Sequence, residues 1–138
     1  MDKKELEWKK EVNDNVEIKY EVTEANEYDG INRRVNNEIL SGDILYKKSY
    51  NYYFANNSET NYIQSEVFKK GNAINVGNLP TISTTTYEYT NDLICKVTKD
   101  DYVETYSYDS LDRISSYSKT EDGTTKTQNF SYDDNGNI

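Results

Sequence analysis

The chain has 138 residues, which suits one domain, and carries a net charge of −9 with a pI of about 4.5. Phosphate backbones and anionic lipid surfaces need clustered Lys and Arg, so nucleic acid is disfavoured as a direct partner and so is an anionic membrane surface. No apolar run approaches the ~20 residues of a spanning helix, so no membrane insertion by this segment is expected.

Mean hydropathy is −1.01, only 34% of residues are hydrophobic and 30% are charged, which by themselves lean towards disorder. The 14 tyrosines lean the other way. Each supplies a large apolar area with a polar tip, enough to build a thin core with wet edges. Thr, Val and Ile add strand propensity, and a single Pro is too few for a linker. The start, Met1-Asp2-Lys3-Lys4-Glu5-Leu6-Glu7, lacks the apolar stretch of a signal peptide, and nothing in the composition assigns a compartment.

In chain order, Lys3 to Val12 serves a short helix and a first strand about equally, with Leu6 and Trp8 as anchors two residues apart. Asn13-Asp14-Asn15 reads as a turn. Val16, Ile18, Tyr20 and Val22 then alternate with Glu17, Lys19, Glu21 and Thr23, the pattern of a half-buried strand. Val35 to Leu40, the turn Ser41-Gly42-Asp43, and Ile44 to Phe54 predict a long hairpin, with Ile44, Tyr46, Lys48, Tyr50, Tyr52 and Phe54 on one face. Ala55 to Thr60 predicts a polar loop, and Tyr62 to Phe68 a short strand with Tyr62 facing opposite to Ile63 and Val67. Lys69 to Pro80 carries Gly71-Asn72, Gly77-Asn78 and Leu79-Pro80, and reads as a loop or insertion. Ser83 to Tyr89 and the face Leu93, Cys95, Val97 are strands, followed by a turn at Lys99-Asp100-Asp101. Tyr102, Glu104, Tyr106 and Tyr108 share the next face. Ile114 and Tyr117, three apart, fall on opposite faces unless a bulge intervenes. Glu121-Asp122-Gly123 turns the chain into Thr124 to Tyr132.

One small unit recurs along this series. Tyr106-Ser107-Tyr108-Asp109-Ser110-Leu111-Asp112-Arg113-Ile114 returns as Phe130-Ser131-Tyr132-Asp133-Asp134-Asn135-Gly136-Asn137-Ile138, and earlier as Tyr28-Asp29-Gly30-Ile31-Asn32-Arg33-Arg34. Aromatics at i and i+2 lie on one strand face. Asp at the first turn position accepts from backbone N–H groups two residues on, and Asn32, Asp112 or Gly136 three residues later tolerates a left-handed backbone. Each unit therefore predicts a strand, a tight turn and a returning strand. Tyr108 and Tyr132 are 24 residues apart and Tyr89 and Tyr108 are 19, both suited to one hairpin per repeat. Tyr87 to Leu93 reads as a decayed fourth copy, two residues short in the turn and without the Asp after Tyr89.

The frame resembles the YD-repeat, or RHS (rearrangement hot spot), family, whose unit reads Tyr-Asp-x-x-Gly-Arg-Leu. Asp109 to Ile114 fits with Asp112 at the Gly position. Asp29 to Arg33 fits with Asn32 there, Arg34 taking the aliphatic place, and Tyr132 to Ile138 keeps Gly136 but has Asn137 for the Arg. The resemblance implies an all-β fold of consecutive antiparallel β-hairpins forming a curved sheet, a segment of a spiral shell. It divides the chain into leading strands at 1–27, first hairpins at 28–68, a loop or insertion at 69–82 and regular repeats at 83–138. It further implies a large cell-surface or secreted parent protein whose shell encloses or presents a toxin or effector domain. The partners of this segment would then be the remainder of the repeat array and that effector. Ile138 falls on the first strand residue after a repeat turn, so the chain reads as a piece of a longer array, with terminal strands open to weak self-association.

Each candidate for chemistry has a plainer reading. Asp133 to Asn137 lacks the ligand spacing of a calcium loop, whose Gly is sixth, and reads as a turn. Asp109 and Asp112 as an acid–base pair would need shifted environments rather than exposed turns. Cys95 without any histidine is expected to be a small core residue. Arg33, Arg34 and Arg113 are expected to pair with acidic residues on neighbouring strands. The tyrosine rows invite one alternative, stacking on glycans, against the simpler role of packing the sheet. The expectation is a non-catalytic structural segment without cofactor or metal, with a carbohydrate-binding surface as the alternative.

Overall fold

The computed structural model describes residues 2–12, 16–55 and 58–138, with side chains from Val22 onward. It divides into two compact units, Met1–Thr84 and Thr85–Ile138. The first holds β1 (Asp2–Val12), β2 (Val16–Tyr28), β3 (Arg34–Ser41), β4 (Ile44–Ala55), β5 (Ser58–Asn72), a 3-10 helix at Ala73–Asn78, and the opening residues of β6 (Thr81–Thr90). The second holds the rest of β6, then β7 (Leu93–Lys99), β8 (Tyr102–Tyr108), β9 (Ile114–Glu121) and β10 (Thr124–Asn129).

The fold is all-β and antiparallel. From β1 to β5 each strand pairs with the next in sequence, through registers such as Leu6 opposite Val22, Thr23 opposite Leu40, Leu40 opposite Leu45 and Ser49 opposite Val67. The second unit repeats the scheme from β6 to β10. Consecutive hairpins need only short connections, and the turn residues supply them. Asn91 and Asp92 both have positive φ, as do Asp122 and Gly123, the condition for a two-residue turn whose twist matches its strands.

The segment Lys3 to Val12 is strand, its charges notwithstanding: eleven residues of β1 pair in unbroken register with β2. Its side chains, those of Val16, Ile18 and Tyr20, and the turn at Asn13 to Asn15 lie outside the described residues. The expected loop from Ala55 to Thr60 is largely strand, since β4 ends at Ala55 and β5 starts at Ser58; residues 56 and 57 lie outside the described set. The expected loop or insertion at 69–82 is the end of β5, the 3-10 helix, and the start of β6. Lys69 to Asn72 stay in the ladder because Lys47, Tyr46, Leu45 and Ile44 continue to pair with them. Asn72 then caps the 3-10 helix, its side-chain oxygen accepting from the Ile74 N–H at 2.9 Å.

Few side chains are fully covered. Among the described residues the buried hydrophobics are Leu45, Tyr50 and Leu79. Leu79 closes on Gly71, where an added Cβ would sit 3.0 Å from Leu79 Cδ2 and 3.2 Å from Pro80 Cδ. In each unit, strands have neighbours to left and right but little above or below, so most apolar groups stop at half-burial. Cys95 is half-buried for this reason, rather than the core residue expected. Leu45, on the face opposite Tyr46, is more covered than any residue of the expected Ile44 to Phe54 stripe. Ladder shifts at Asn51/Tyr52 and Tyr52/Phe54 also break that stripe, and leave Phe54 66% exposed.

Candidate functional site

The three repeat turns share one hydrogen-bond pattern. In the first, the Asn32 N–H donates to the Asp29 carbonyl at 3.0 Å and the Asp29 N–H donates to the Arg33 carbonyl at 2.9 Å. In the second, Asp112 donates to Asp109 at 3.1 Å and Asp109 to Arg113 at 2.8 Å; in the third, Gly136 donates to Asp133 at 2.9 Å and Asp133 to Asn137 at 3.0 Å. The third residue after the turn aspartate is left-handed each time, with φ +64° at Asn32, +59° at Asp112 and +83° at Gly136. This is a β-turn followed by a left-handed residue, the three-residue hairpin loop.

The aspartate does more than start the turn. One carboxylate oxygen accepts two backbone N–H groups: Ile31 and Arg33 on Asp29 at 3.1 and 2.9 Å, Leu111 and Arg113 on Asp109 at 2.9 and 3.0 Å, Asn135 and Asn137 on Asp133, both at 2.9 Å. The other oxygen takes a side chain four residues on: Arg33 Nε at 2.6 Å, Arg113 Nε at 2.8 Å, or Asn137 Nδ2 at 3.0 Å. Asn137, the departure from the motif, thus makes the same bond with a neutral amide. The arginines pair first with their own turn aspartate rather than with acids across the sheet. Arg33 adds Glu59 of β5 at 3.3 Å and the Thr60 carbonyl, while Arg34 donates to the Tyr50 hydroxyl at 3.0 Å.

These contacts set the charge state. The Arg113 side chain, foremost, and the N–H groups of Arg113 and Leu111 hold the Asp109 carboxyl below its ordinary value. At Asp133 the Asn137 side chain leads in the same direction. At Asp29 partial desolvation pushes upward, but the Arg33 N–H and guanidinium and the Ile31 N–H together prevail, and the carboxyl is again lowered.

A tyrosine from the following hairpin completes the arrangement. The Arg113 guanidinium lies 4.3 Å from the Tyr132 ring centre, and Arg33 lies 4.5 Å from that of Tyr52. The Tyr132 hydroxyl donates to the Ile114 carbonyl at 2.8 Å, Tyr52 to the Arg34 carbonyl at 2.8 Å, and Tyr108 to the Ile94 carbonyl at 2.7 Å. Each acceptor stands just after the turn of the preceding hairpin. The strand pairing carries the same signature. Ladder shifts fall at Glu27/Tyr28, Asn51/Tyr52, Glu88/Tyr89 and Ser107/Tyr108, always next to the repeat tyrosine.

Tyr28, Asp29, Asn32, Arg33, Tyr108, Asp109, Asp112, Arg113, Tyr132, Asp133 and Gly136 therefore sit at equivalent positions of three turns, not in one cleft. Tyr52 belongs with them and escaped the motif because no Asp follows it. Its signal was the spacing: Tyr50-Asn51-Tyr52 repeats the aromatic-x-Tyr pattern, and Tyr52 lies 24 residues after Tyr28. The decayed copy has a two-residue turn at Asn91-Asp92 and no carboxylate clasp, yet keeps its ladder shift and receives Tyr108.

A second cluster lies on β8 and β9. Tyr106 and Tyr117 face each other with ring centres 5.4 Å apart, and both hydroxyls donate to Glu104, at 3.2 and 2.8 Å. Burial first, then the Glu104 carboxylate, pushes the Tyr106 phenol up to about 12. Among the described residues no buried side-chain nitrogen or oxygen lacks a partner, and no group of three His, Cys, Asp or Glu could hold a metal ion. Among them, too, no helix is long and apolar enough to cross a membrane. No family model matches this chain, nor does any curated protein.

Proposed function

We propose that this chain is a non-catalytic structural repeat segment of the YD/RHS kind, part of a β-shell wall that encloses or presents an effector in a larger surface or secreted protein. The observation that carries the reading is the clasp itself. The same aspartate, left-handed residue and side-chain donor recur in three turns, and the next hairpin's tyrosine closes on the turn exit. Such parts join each hairpin to its neighbour, which is how a repeat array gains stability one interface at a time. The repeat tyrosines Tyr52, Tyr108 and Tyr132 spend their hydroxyls on the protein's own carbonyls, which favours packing over glycan stacking.

The test is protease digestion of the longest natural polypeptide carrying this segment. A resistant, separately folded effector released only after the repeats are denatured is the expected result. Uniform digestion of everything outside the repeats would overturn the enclosing role.

A further inference from the structure

Tyr106 of β8 and Tyr117 of β9 stand directly opposite each other in the ladder. Their ring centres are 5.4 Å apart at an interplanar angle of 44°. Both hydroxyls donate to one side chain, Tyr106 to Glu104 Oε2 at 3.2 Å and Tyr117 to Glu104 Oε1 at 2.8 Å. Because the hydroxyls converge on one carboxylate, the ring carbons flanking them converge too. Both tyrosines are half-buried rather than enclosed, within reach of an external oxidant. The repeat tyrosines are placed differently. Tyr52, Tyr108 and Tyr132 donate to backbone carbonyls, which are far too weak as bases to keep a proton.

We propose that Tyr106 and Tyr117 form an oxidative cross-linking site, which a haem peroxidase acting with hydrogen peroxide joins into a dityrosine that staples β8 to β9. A neutral phenol gives up an electron readily only if its proton leaves as well, because the protonated radical is a strong acid. The Tyr106 phenol, pushed up to about 12, does not shed that proton by itself near neutral pH. Glu104 is the base already in place. It takes the proton of each phenol as the electron leaves for the peroxidase, and hands it on to water. Two phenoxyl radicals result, side by side. One ortho carbon of each ring joins the other in a new C–C bond. The two ortho hydrogens then move to the phenoxyl oxygens, which restores both aromatic rings. The two electrons and two protons released reduce one hydrogen peroxide to two waters. The staple gives the chain a covalent tie between strands that its single cysteine cannot make within it.

Oxidation of the dilute full chain near neutral pH with a haem peroxidase and hydrogen peroxide tests this. The monomer should gain blue dityrosine fluorescence and become lighter by two hydrogen atoms. Trypsin cuts after Arg113, and the peptide of residues 100–113 should then stay joined to that of residues 114–119, whose one tyrosine is Tyr117. The oxidised chain should need more urea to unfold. Tyr117→Phe keeps the ring and should abolish the joined peptide while the circular dichroism spectrum keeps its strand signal. Glu104→Gln keeps an acceptor that cannot hold the proton, and should slow cross-linking at least about tenfold. Tyr102→Phe, on the same face, should not slow it. Cross-links only between molecules, a monomer without the joined peptide, an undiminished rate in Glu104→Gln, or an unshifted urea midpoint would each overturn the proposal.

Discussion

The Tyr132 hydroxyl donates to the Ile114 carbonyl 18 residues earlier at 2.8 Å, and Tyr52 reaches Arg34 across the same separation and distance. In both cases the acceptor follows a complete Asp-Arg clasp, although Tyr52, unlike Tyr132, is recognisable only by its aromatic spacing. The equivalence also separates two contributions of one side chain, the ring beneath the guanidinium and the hydroxyl on the carbonyl.

Tyr132→Phe removes the hydroxyl and keeps the ring under Arg113. It should cost about 1 kcal/mol, the typical net worth of one hydrogen bond. Tyr132→Ala also loses the cation–π contact and the ring's packing, and should cost about 2–3 kcal/mol. Urea unfolding of both variants checks this; equal losses would mean the ring has no seat of its own.

Asp109→Ala should lower the melting temperature by roughly 3–6 °C at pH 7, as loss of a capping carboxylate does. The folded-state carboxyl titrates below its ordinary value. Its contribution is therefore fully present above the unfolded pKa of about 4 and lost as pH falls through the lower folded value. The gap between wild type and variant should narrow as pH falls below about 4 and the carboxyl takes up its proton. A gap that persists unchanged in acid would show that the charge is not what matters. Arg113→Ala should produce a smaller loss, because the two N–H groups on Asp109 remain.

The Tyr106 phenol, pushed up to about 12, should appear as a late step in a spectrophotometric tyrosine titration that Tyr106→Phe abolishes. Here the folded state holds its proton more tightly than the unfolded one. The associated stability is present below the unfolded pKa of about 10 and lost as pH rises from there towards the folded value. Calorimetry between pH 9 and 11 should show the wild type losing more stability than Tyr106→Phe.

Gly71→Ala should destabilise by about 1–3 kcal/mol, since the new methyl meets Leu79 and Pro80 at 3.0 and 3.2 Å. Combining it with Leu79→Ala should recover part of the loss, measurable as a double-mutant cycle. Strict additivity would place the clash elsewhere.

Cys95, half-buried on β7, should react with a thiol reagent at a measurable rate in native buffer and several-fold faster in urea. Native labelling as fast as that of a free thiol would mean that β7 does not hold its expected face.

The period-2 alternation and the turn residues were enough to define strands, most hairpins and the repeated turn, because both are local. A strand's side chains alternate by geometry, and Asp29, Asp109 and Asp133 reach only four residues ahead. Asn32, Asp112 and Gly136 could be picked out as left-handed for the same reason. What lay beyond the sequence was whatever depends on neighbours from other hairpins. The strand character of Lys3 to Val12 comes from pairing with β2, not from its own residues. The helix at Ala73–Asn78 and the burial of Leu79 depend on β4 and β5 standing beside them. Arg113 could not be assigned to the Tyr132 ring, nor Tyr52 to Arg33, until the strands were in register. Nor could the burial of Leu45 or the half-exposure of Cys95 be read from alternation, which says which side a residue faces but not what covers that side.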